Sequence, residues 1–364
     1  MNSGSRPEPR KVIAALPQYS SAAGTSRVTW RASSNESVLP PSPRVVEAIA
    51  RAGATAHLYP SLLGDALVAD IAERLQVTAR QVVVGGGSLA LLQQTLSTYT
   101  GHGTEVIFGW RSYEAYPILV GVAGSDAVPV PLGADGTHDL AAMLAAVTPS
   151  TKAIILCNPN NPTGTEVGRE QVELFLQRVP PTVLVLLDEA YQEFATTSLD
   201  GVGLLDAYPN LAVFRTFSKA YGLAGLRAGY MVTSEEIADF VRVASPPFGL
   251  STVAEAAAQE AGADADYSAR VLRLVAEGRD RLRAGLAERG FPTPVSGGNF
   301  VWIPLPHGAR ELEVGCIARG VSVRAFDGEG VRATVGERAA EDAVLAAVDD
   351  LMATVASSPG KTLT

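Results

Sequence analysis

Phe214-Arg215-Thr216-Phe217-Ser218-Lys219-Ala220-Tyr221-Gly222-Leu223-Ala224-Gly225-Leu226-Arg227 is the stretch that decides how this chain is read. It has the pattern of a strand that ends in a polar turn carrying one lysine. Lys219 is the only lysine between Lys152 and Lys361, so solubility does not explain it. Small and hydroxylic residues surround it (Thr216, Ser218, Gly222, Gly225), and Arg227 follows eight positions on. A solvated turn would be richer in Asp, Asn and Lys. The composition suits a phosphate pocket with an amine at its centre.

Upstream, Thr182-Val-Leu-Val-Leu-Leu187 is almost wholly apolar, as expected of a parallel strand covered on both faces. Asp188 at its end is a carboxylate at the edge of a core, costly to bury unless a cation meets it. Another strand, Ala153-Ile-Ile-Leu-Cys157, runs into Asn158-Pro-Asn-Asn-Pro-Thr-Gly164, a tight loop at the strand end where α/β sheets bind ligands. Earlier still, Gln81-Val82-Val83-Val84-Gly85-Gly86-Gly87-Ser88-Leu89-Ala90 leads a strand through a glycine-rich turn into a helix. Exposed N–H groups and the positive end of the helix dipole attract a phosphate there. Gly85-x-Gly87-x-x-Ala90 also fits a dinucleotide fingerprint, which keeps a nicotinamide dehydrogenase in view. Against it, the strand near Glu105-Val-Ile-Phe108 ends in Gly-Trp-Arg instead of the acidic residue that would hold a ribose hydroxyl.

Thr-Phe-Ser-Lys219-Ala-Tyr-Gly-Leu-Ala-Gly-Leu-Arg227 resembles the Schiff-base segment of the fold-type I pyridoxal-phosphate aminotransferases, in the branch holding histidinol-phosphate and aromatic amino acid aminotransferases. Asn158–Gly164 and Asp188-Glu-Ala-Tyr191 resemble the family's other landmarks and occur in its order. The likeness runs from Ser34 to about Val348. It implies an α/β fold with a mixed, mostly parallel sheet in a large domain plus a smaller α+β domain. It also implies pyridoxal 5'-phosphate as cofactor and Lys219 as the amine that takes it.

By the same resemblance, Asp188 meets the pyridine nitrogen, and Asn161 and Tyr191 meet the phenolic oxygen. Tyr113, in Trp110-Arg-Ser-Tyr-Glu-Ala-Tyr-Pro117, stacks on the ring. Thr216, Ser218, Arg227 and the Ser88 and Leu89 amides anchor the phosphate. Tyr59, in His57-Leu-Tyr-Pro60, reaches the phosphate of a neighbouring subunit, which makes the active unit a homodimer. Arg332, in Val331–Gly336, binds the substrate carboxylate in bidentate fashion, with Arg324 as a second basic candidate. Asn35, in Ser34-Asn-Glu36, belongs to an arm over the substrate side.

Other residues attract plainer readings. Tyr116 fits one face of an amphipathic helix, Glu189 and Glu193 read as surface or structural, and Asn299 is as much structural as functional. Trp110-Arg-Ser112 resembles the aromatic branch, so an aromatic, phenylalanine-like amino acid with a 2-oxo acid is expected. Histidinol phosphate is the alternative, and a decarboxylase, a synthase or a sensor module of the same fold stays open. The wording of Gly297-Gly298 and Phe248-Gly-Leu-Ser251 departs from the family's, which leaves an unusual substrate open.

The whole chain supports a globular enzyme. At 364 residues, 47% hydrophobic and 18% charged, it suits about two domains. Its formal charge of −9 argues against nucleic acid or an anionic membrane as partner. Cys157 and Cys316 lie far apart, outside any metal-ligand spacing, and read as buried small hydrophobes in a reducing cytoplasm. No signal-type run follows Arg6, Arg10 and Lys11, and no stretch approaches the ~20 apolar residues of a membrane span. Cytoplasmic localisation is expected.

The divisions expected are an arm at 1–43, its first eleven residues mobile, a doubly wound cofactor domain at 44–252, and a smaller domain at 253–364. A helix is expected from Ser42-Pro43 with the serine hydroxyl as cap. In the last domain a long helix ends near Gly290, and strands follow at Phe300–Ile303, Val321–Arg324 and Val331–Val335. A final helix from about Glu337 carries Val344, Ala347, Val348 and Leu351 on its apolar face.

Overall fold

The computed structural model describes residues 7–18 and 28–356. Part of the expected mobile end, residues 1–6, lies outside them. Among the described residues, Lys11–Ala15 is helical, and Arg10 Nη2 donates to the Val122 carbonyl at 2.6 Å. The first strand, β1 (Trp30–Arg31), is short. Seven more follow: β2 (Val82–Gly85), β3 (Glu105–Trp110), β4 (Asp126–Pro131), β5 (Thr151–Cys157), β6 (Leu184–Asp188), β7 (Leu211–Thr216) and β8 (Gly229–Thr233). The last four are β9 (Phe300–Pro304), β10 (Val321–Ser322), β11 (Arg324–Phe326) and β12 (Gly330–Thr334).

The central sheet has the order β2-β8-β7-β6-β5-β3-β4. Strands β3 to β7 pair in parallel, and β8 runs antiparallel to both neighbours, giving the mixed, mostly parallel sheet of an α/β protein. Strand alternation divides its side chains between two cores. Ile154, Leu156, Val185, Leu187, Leu211 and Val213 enter one, and Ala153, Ile155, Leu184, Leu186, Ala212 and Phe214 enter the other. Double burial explains why β6 has no polar face in sequence. Because these strands are parallel, Cys157, Asp188 and Thr216 all end on the same side of the sheet.

The glycine turn follows β2, an edge strand paired only with antiparallel β8. A dinucleotide fingerprint instead begins on a central strand of a parallel unit, so the topology does not fit the dehydrogenase reading.

A second sheet, β11-β12-β9, is antiparallel and packs with the helices Ala265–Glu288, Ala309–Ala318 and Arg338–Ala356. The expected strand Val321–Arg324 divides. Val321 and Ser322 pair in parallel with Trp30 and Arg31, while Arg324 turns into the other sheet opposite Arg332. The helix Thr252–Ala263, at whose start the sequence suggests a domain boundary, contributes Ala254, Ala257, Ala258 and Ala261 to the first core beside Val45 of the helix Pro43–Gly53. Ser42 precedes that helix, but its hydroxyl makes no capping bond, contrary to the sequence expectation. Val344, Ala347, Val348 and Leu351 are all buried on the last helix.

Candidate active site

Strand β7 delivers the lysine turn to the C-terminal side of the sheet. Phe217 N–H donates to Ala228 O at 3.1 Å and Leu223 N–H to Phe217 O at 3.0 Å, closing the loop around Lys219. Gly222 sits at φ +71°, where a Cβ would lie 2.4 Å from the Tyr267 hydroxyl, so only glycine fits. Lys219 Nζ donates to Ser34 O at 3.2 Å, joining the turn to the N-terminal arm. Burial first, then the charge of Arg332, pulls the amine down to about 7.

A cavity of about 240 Å³ opens around this amine. One end is a cup for an anion. Thr216 Oγ1 donates to Ser218 Oγ at 3.0 Å, and Arg227 Nη1 reaches the same oxygen at 3.3 Å. The helix Ser88–Tyr99 begins at the cup with the N–H groups of Ser88 and Leu89, whereas Ala90 N–H already donates to Gly87 O at 3.1 Å. Gly87, at φ +96°, permits the close approach, since a Cβ there would stand 2.7 Å from Arg227 Nη2.

The opposite end is acidic. Asp188 is buried; its Oδ2 accepts from the Tyr116 hydroxyl at 2.7 Å and its Oδ1 from Ala190 N–H at 3.2 Å. Burial raises the carboxyl, while the Tyr116 hydrogen bond, the Ala190 amide and the charge of Lys219 oppose that shift. Tyr191 accepts from Asn35 Nδ2 at 2.9 Å, and its ring meets Phe300 edge-on at 5.2 Å. Cys157, also against the cavity, is pushed up to about 12 by burial and stays a neutral thiol.

Basic side chains close the remaining wall. Arg332 is buried and donates to Asn161 Oδ1 and to Ser33 O. That commits the amide oxygen of Asn161 and leaves its NH₂ as the donor end. Arg324 grips Glu114 through both carboxylate oxygens, with Nη2 at 3.0 Å and 2.9 Å. Asn299 Nδ2 donates to the Asn35 and Glu36 carbonyls and so fastens the arm, which is a structural duty.

Ser88, Leu89, Tyr113, Asn161, Asp188, Tyr191, Thr216, Ser218, Lys219, Arg227, Arg324, Arg332 and Asn35 all line this one cavity. Tyr59 does not; it is 82% exposed and stacks on Phe248 at 4.7 Å. Ser33, Glu114 and Tyr116 belong to the site without having been singled out for it in the sequence. The position of Glu114 beside Tyr113 was the available signal. Glu189 proves wholly buried, bound by Arg215 at 2.9 Å and 2.7 Å, so it is structural and not surface.

The model of the family "Aminotransferase class I and II" matches residues 32–346. The chain belongs to that family. Members of this family are pyridoxal-phosphate-dependent enzymes, and the sequence relatives of this aminotransferase include aromatic amino acid aminotransferases. The aromatic amino acid aminotransferase of Streptomyces avermitilis is 44% identical over 345 residues, covering 93% of this chain and 96% of that enzyme. The aromatic amino acid aminotransferase of Nocardia farcinica is 46% identical over 310 residues, 84% of this chain and 86% of its own. Among solved structures, histidinol-phosphate aminotransferase from Sinorhizobium meliloti in complex with pyridoxal-5'-phosphate superposes with a TM-score of 0.88 at 29% identity, covering 97% of this chain and 100% of that one.

The aminotransferase residues fit the cofactor on their own chemistry. Two hydroxyls, a guanidinium and a helix start suit a phosphate, and a buried carboxylate at the far end suits a protonated ring nitrogen. Lys219 lines the same cavity, near enough to Arg227 and Asp188 for both charges to act on it.

Proposed function

We propose that this aminotransferase moves an amino group between an aromatic, phenylalanine-like amino acid and a 2-oxo acid. The observation that carries the reaction is Lys219: a partly buried amine held down to about 7, in a cavity that joins an anion cup to a buried acid. Pyridoxal phosphate, when bound, supplies the carbonyl that takes the amine and the ring that absorbs electrons.

The chain's own residues do the rest. Thr216, Ser218, Arg227 and the first amides of the helix Ser88–Tyr99 grip the phosphate; a planar guanidinium gives a two-point hold that lysine could not. Asp188 holds a proton on the ring nitrogen as an ion pair, which also relieves the cost of its own burial. Tyr113 covers one face of the ring and excludes water. Asn161 and Tyr191 donate toward the ring oxygen. Lys219, neutral above about pH 7, can accept a proton at Nζ from the substrate's Cα and return it elsewhere. Arg332 orients the substrate by its carboxylate.

The aromatic substrate is supported by the names of the sequence relatives and by the state of Arg324. A substrate bearing its own phosphate needs a second cation, and Arg324 is already gripped by Glu114. An uncharged aromatic side chain asks for none. Histidinol phosphate is the second reading, favoured by the Sinorhizobium likeness. A donor panel decides between them: phenylalanine should outperform histidinol phosphate, and the reverse ranking sinks the aromatic reading. Lys219→Ala should abolish turnover, and retained activity would sink the aminotransferase site itself.

We further propose a homodimer. Leu58, Tyr59, Leu62 and Leu63 form an exposed run that a second copy would cover, with Tyr59 reaching across. Light scattering showing a monomer would overturn it. Two free buried cysteines suit a cytoplasmic setting. Among the described residues no helix is long and apolar enough to cross a membrane.

A further inference from the structure

Tyr116 opens the helix Tyr116–Ala123 and is wholly buried. Its two ends do different things. The hydroxyl donates to Asp188 Oδ2 at 2.7 Å. The ring meets Tyr113 edge-on, at 5.7 Å and 84°, and rests on Phe108 at 6.2 Å and 63°. It therefore bridges the carboxylate at the bottom of the cavity and the aromatic at its wall, both of which line the space while Tyr116 does not.

The bond to Asp188 is more than filler. A buried carboxylate tends toward its neutral form, and a donor to the ionised form opposes that tendency. Burial and the nearby Asp188 hold the phenol well above its usual range, so it stays a donor throughout the working pH. The other oxygen of Asp188 is taken by Ala190 N–H, whose strand-end position also fixes the carboxylate's tilt. With both oxygens held, the carboxylate has one orientation to offer.

We infer that Tyr116 is a positioning residue for the reaction, its hydroxyl aiming Asp188 and its ring edge aiming Tyr113, so that one side chain sets both groups expected to clamp the cofactor ring. The inference rests on the proposed roles of Asp188 and Tyr113. Sulfur chemistry at neighbouring Cys157 plays no part in it, because that thiol stays neutral.

Tyr116→Phe removes the hydroxyl and keeps the ring; Tyr116→Leu removes both supports. Pyridoxal phosphate affinity is read by titrating the cofactor-free protein, and the bound cofactor's visible absorption is followed against pH. Tyr116→Phe should weaken cofactor binding about tenfold, the size of one lost hydrogen bond to a charged group. It should also shift the pH at which the visible band changes and lower kcat, with KM for phenylalanine nearly unchanged. Tyr116→Leu should weaken binding further. In an Asp188→Ala background, Tyr116→Phe should add no further loss. Additive losses in that background, or an unchanged affinity and titration in Tyr116→Phe, overturn the inference. Wild-type protein that takes up no pyridoxal phosphate overturns the site reading instead, a result read before any variant is made.

Discussion

Lys219 Nζ and the Ser34 carbonyl lie 3.2 Å apart, a hydrogen bond that ties the reactive amine to the arm whose strand β1 pairs with β10. The carbonyl accepts a hydrogen bond from either form of the amine, so it does not restore the charge that burial removes. Lys219 consequently stays near pH 7 in its transition while an unfolded chain would hold its proton to 10.5.

That gap fixes the sign of a stability prediction. Between about 7 and 10.5 the unfolded chain binds more protons than the folded one, so this lysine makes stability rise with pH across that window. Lys219→Met should therefore stabilise the cofactor-free protein, by on the order of 2 kcal/mol below pH 7 once solvent at the cavity mouth is allowed for. The gain should shrink to nothing near pH 10. Urea unfolding of both proteins at pH 6.5 and 9.5 checks it, and a difference that does not change with pH counts against it.

Turnover should follow the same group. The acid limb of kcat is expected near pH 7, because kcat reports the complex in which substrate has freed the Lys219 amine, and only the neutral amine can accept a proton. A limb that stays flat down to pH 5 would mean that another group does the work.

Tyr59 invites a test in which folding and binding separate. Its ring is 82% exposed and touches its own chain through Phe248. Tyr59→Ala should change chain stability by no more than about 0.5 kcal/mol, as surface changes do. Pyridoxal phosphate affinity should nonetheless fall about tenfold, the loss of one bond to a charged group supplied by the second copy. Unchanged affinity would leave Tyr59 as an ordinary surface aromatic.

The contrast between Lys219 and Tyr116 explains what the sequence could say about this site. Lys219 was legible because a lone lysine among small hydroxylic residues is unusual, and β6 because double burial erases every polar position ahead of Asp188. Tyr116 was not, since an aromatic at helical spacing looks the same whether its hydroxyl meets water or Asp188. Glu114 hid for a related reason: its partner Arg324 lies 210 positions away, and the pairing exists only after β11 turns beside β12. The division of Val321–Arg324 between two sheets was equally invisible, because both halves carry the same alternation.

Glu114 and Arg324 also set a specificity test. Arg324 is 12% exposed, so removing its partner's charge leaves a cation with little solvent beside the cavity. Glu114→Gln should favour donors that bring a carboxylate of their own. The ratio of kcat/KM for an acidic amino acid to that for phenylalanine should rise about tenfold. If the ratio does not move, Arg324 faces away from the substrate and the pair is a strut between the two sheets.

Gly297 and Gly298, which depart from the family's wording, have a packing explanation that needs no role in substrate choice. A Cβ on Gly297 would sit 2.4 Å from the Glu166 carboxylate, and one on Gly298 2.4 Å from the Phe300 ring. Glu166 cannot step aside cheaply, because it accepts from Thr196 N–H at 3.1 Å and Thr196 Oγ1 at 2.6 Å and from Thr197 Oγ1 at 3.0 Å. Gly297 N–H in turn donates to Gly164 O at 2.8 Å, at the end of the loop that carries Asn161. Gly297→Ala should thus destabilise the protein by about 1–3 kcal/mol, the usual cost of overpacking. It should also weaken cofactor binding by displacing Asn161, while leaving the ranking of amino donors as it was. Thermal unfolding and the donor panel run on one preparation check both halves, and a changed ranking without lost stability would return these glycines to the substrate site.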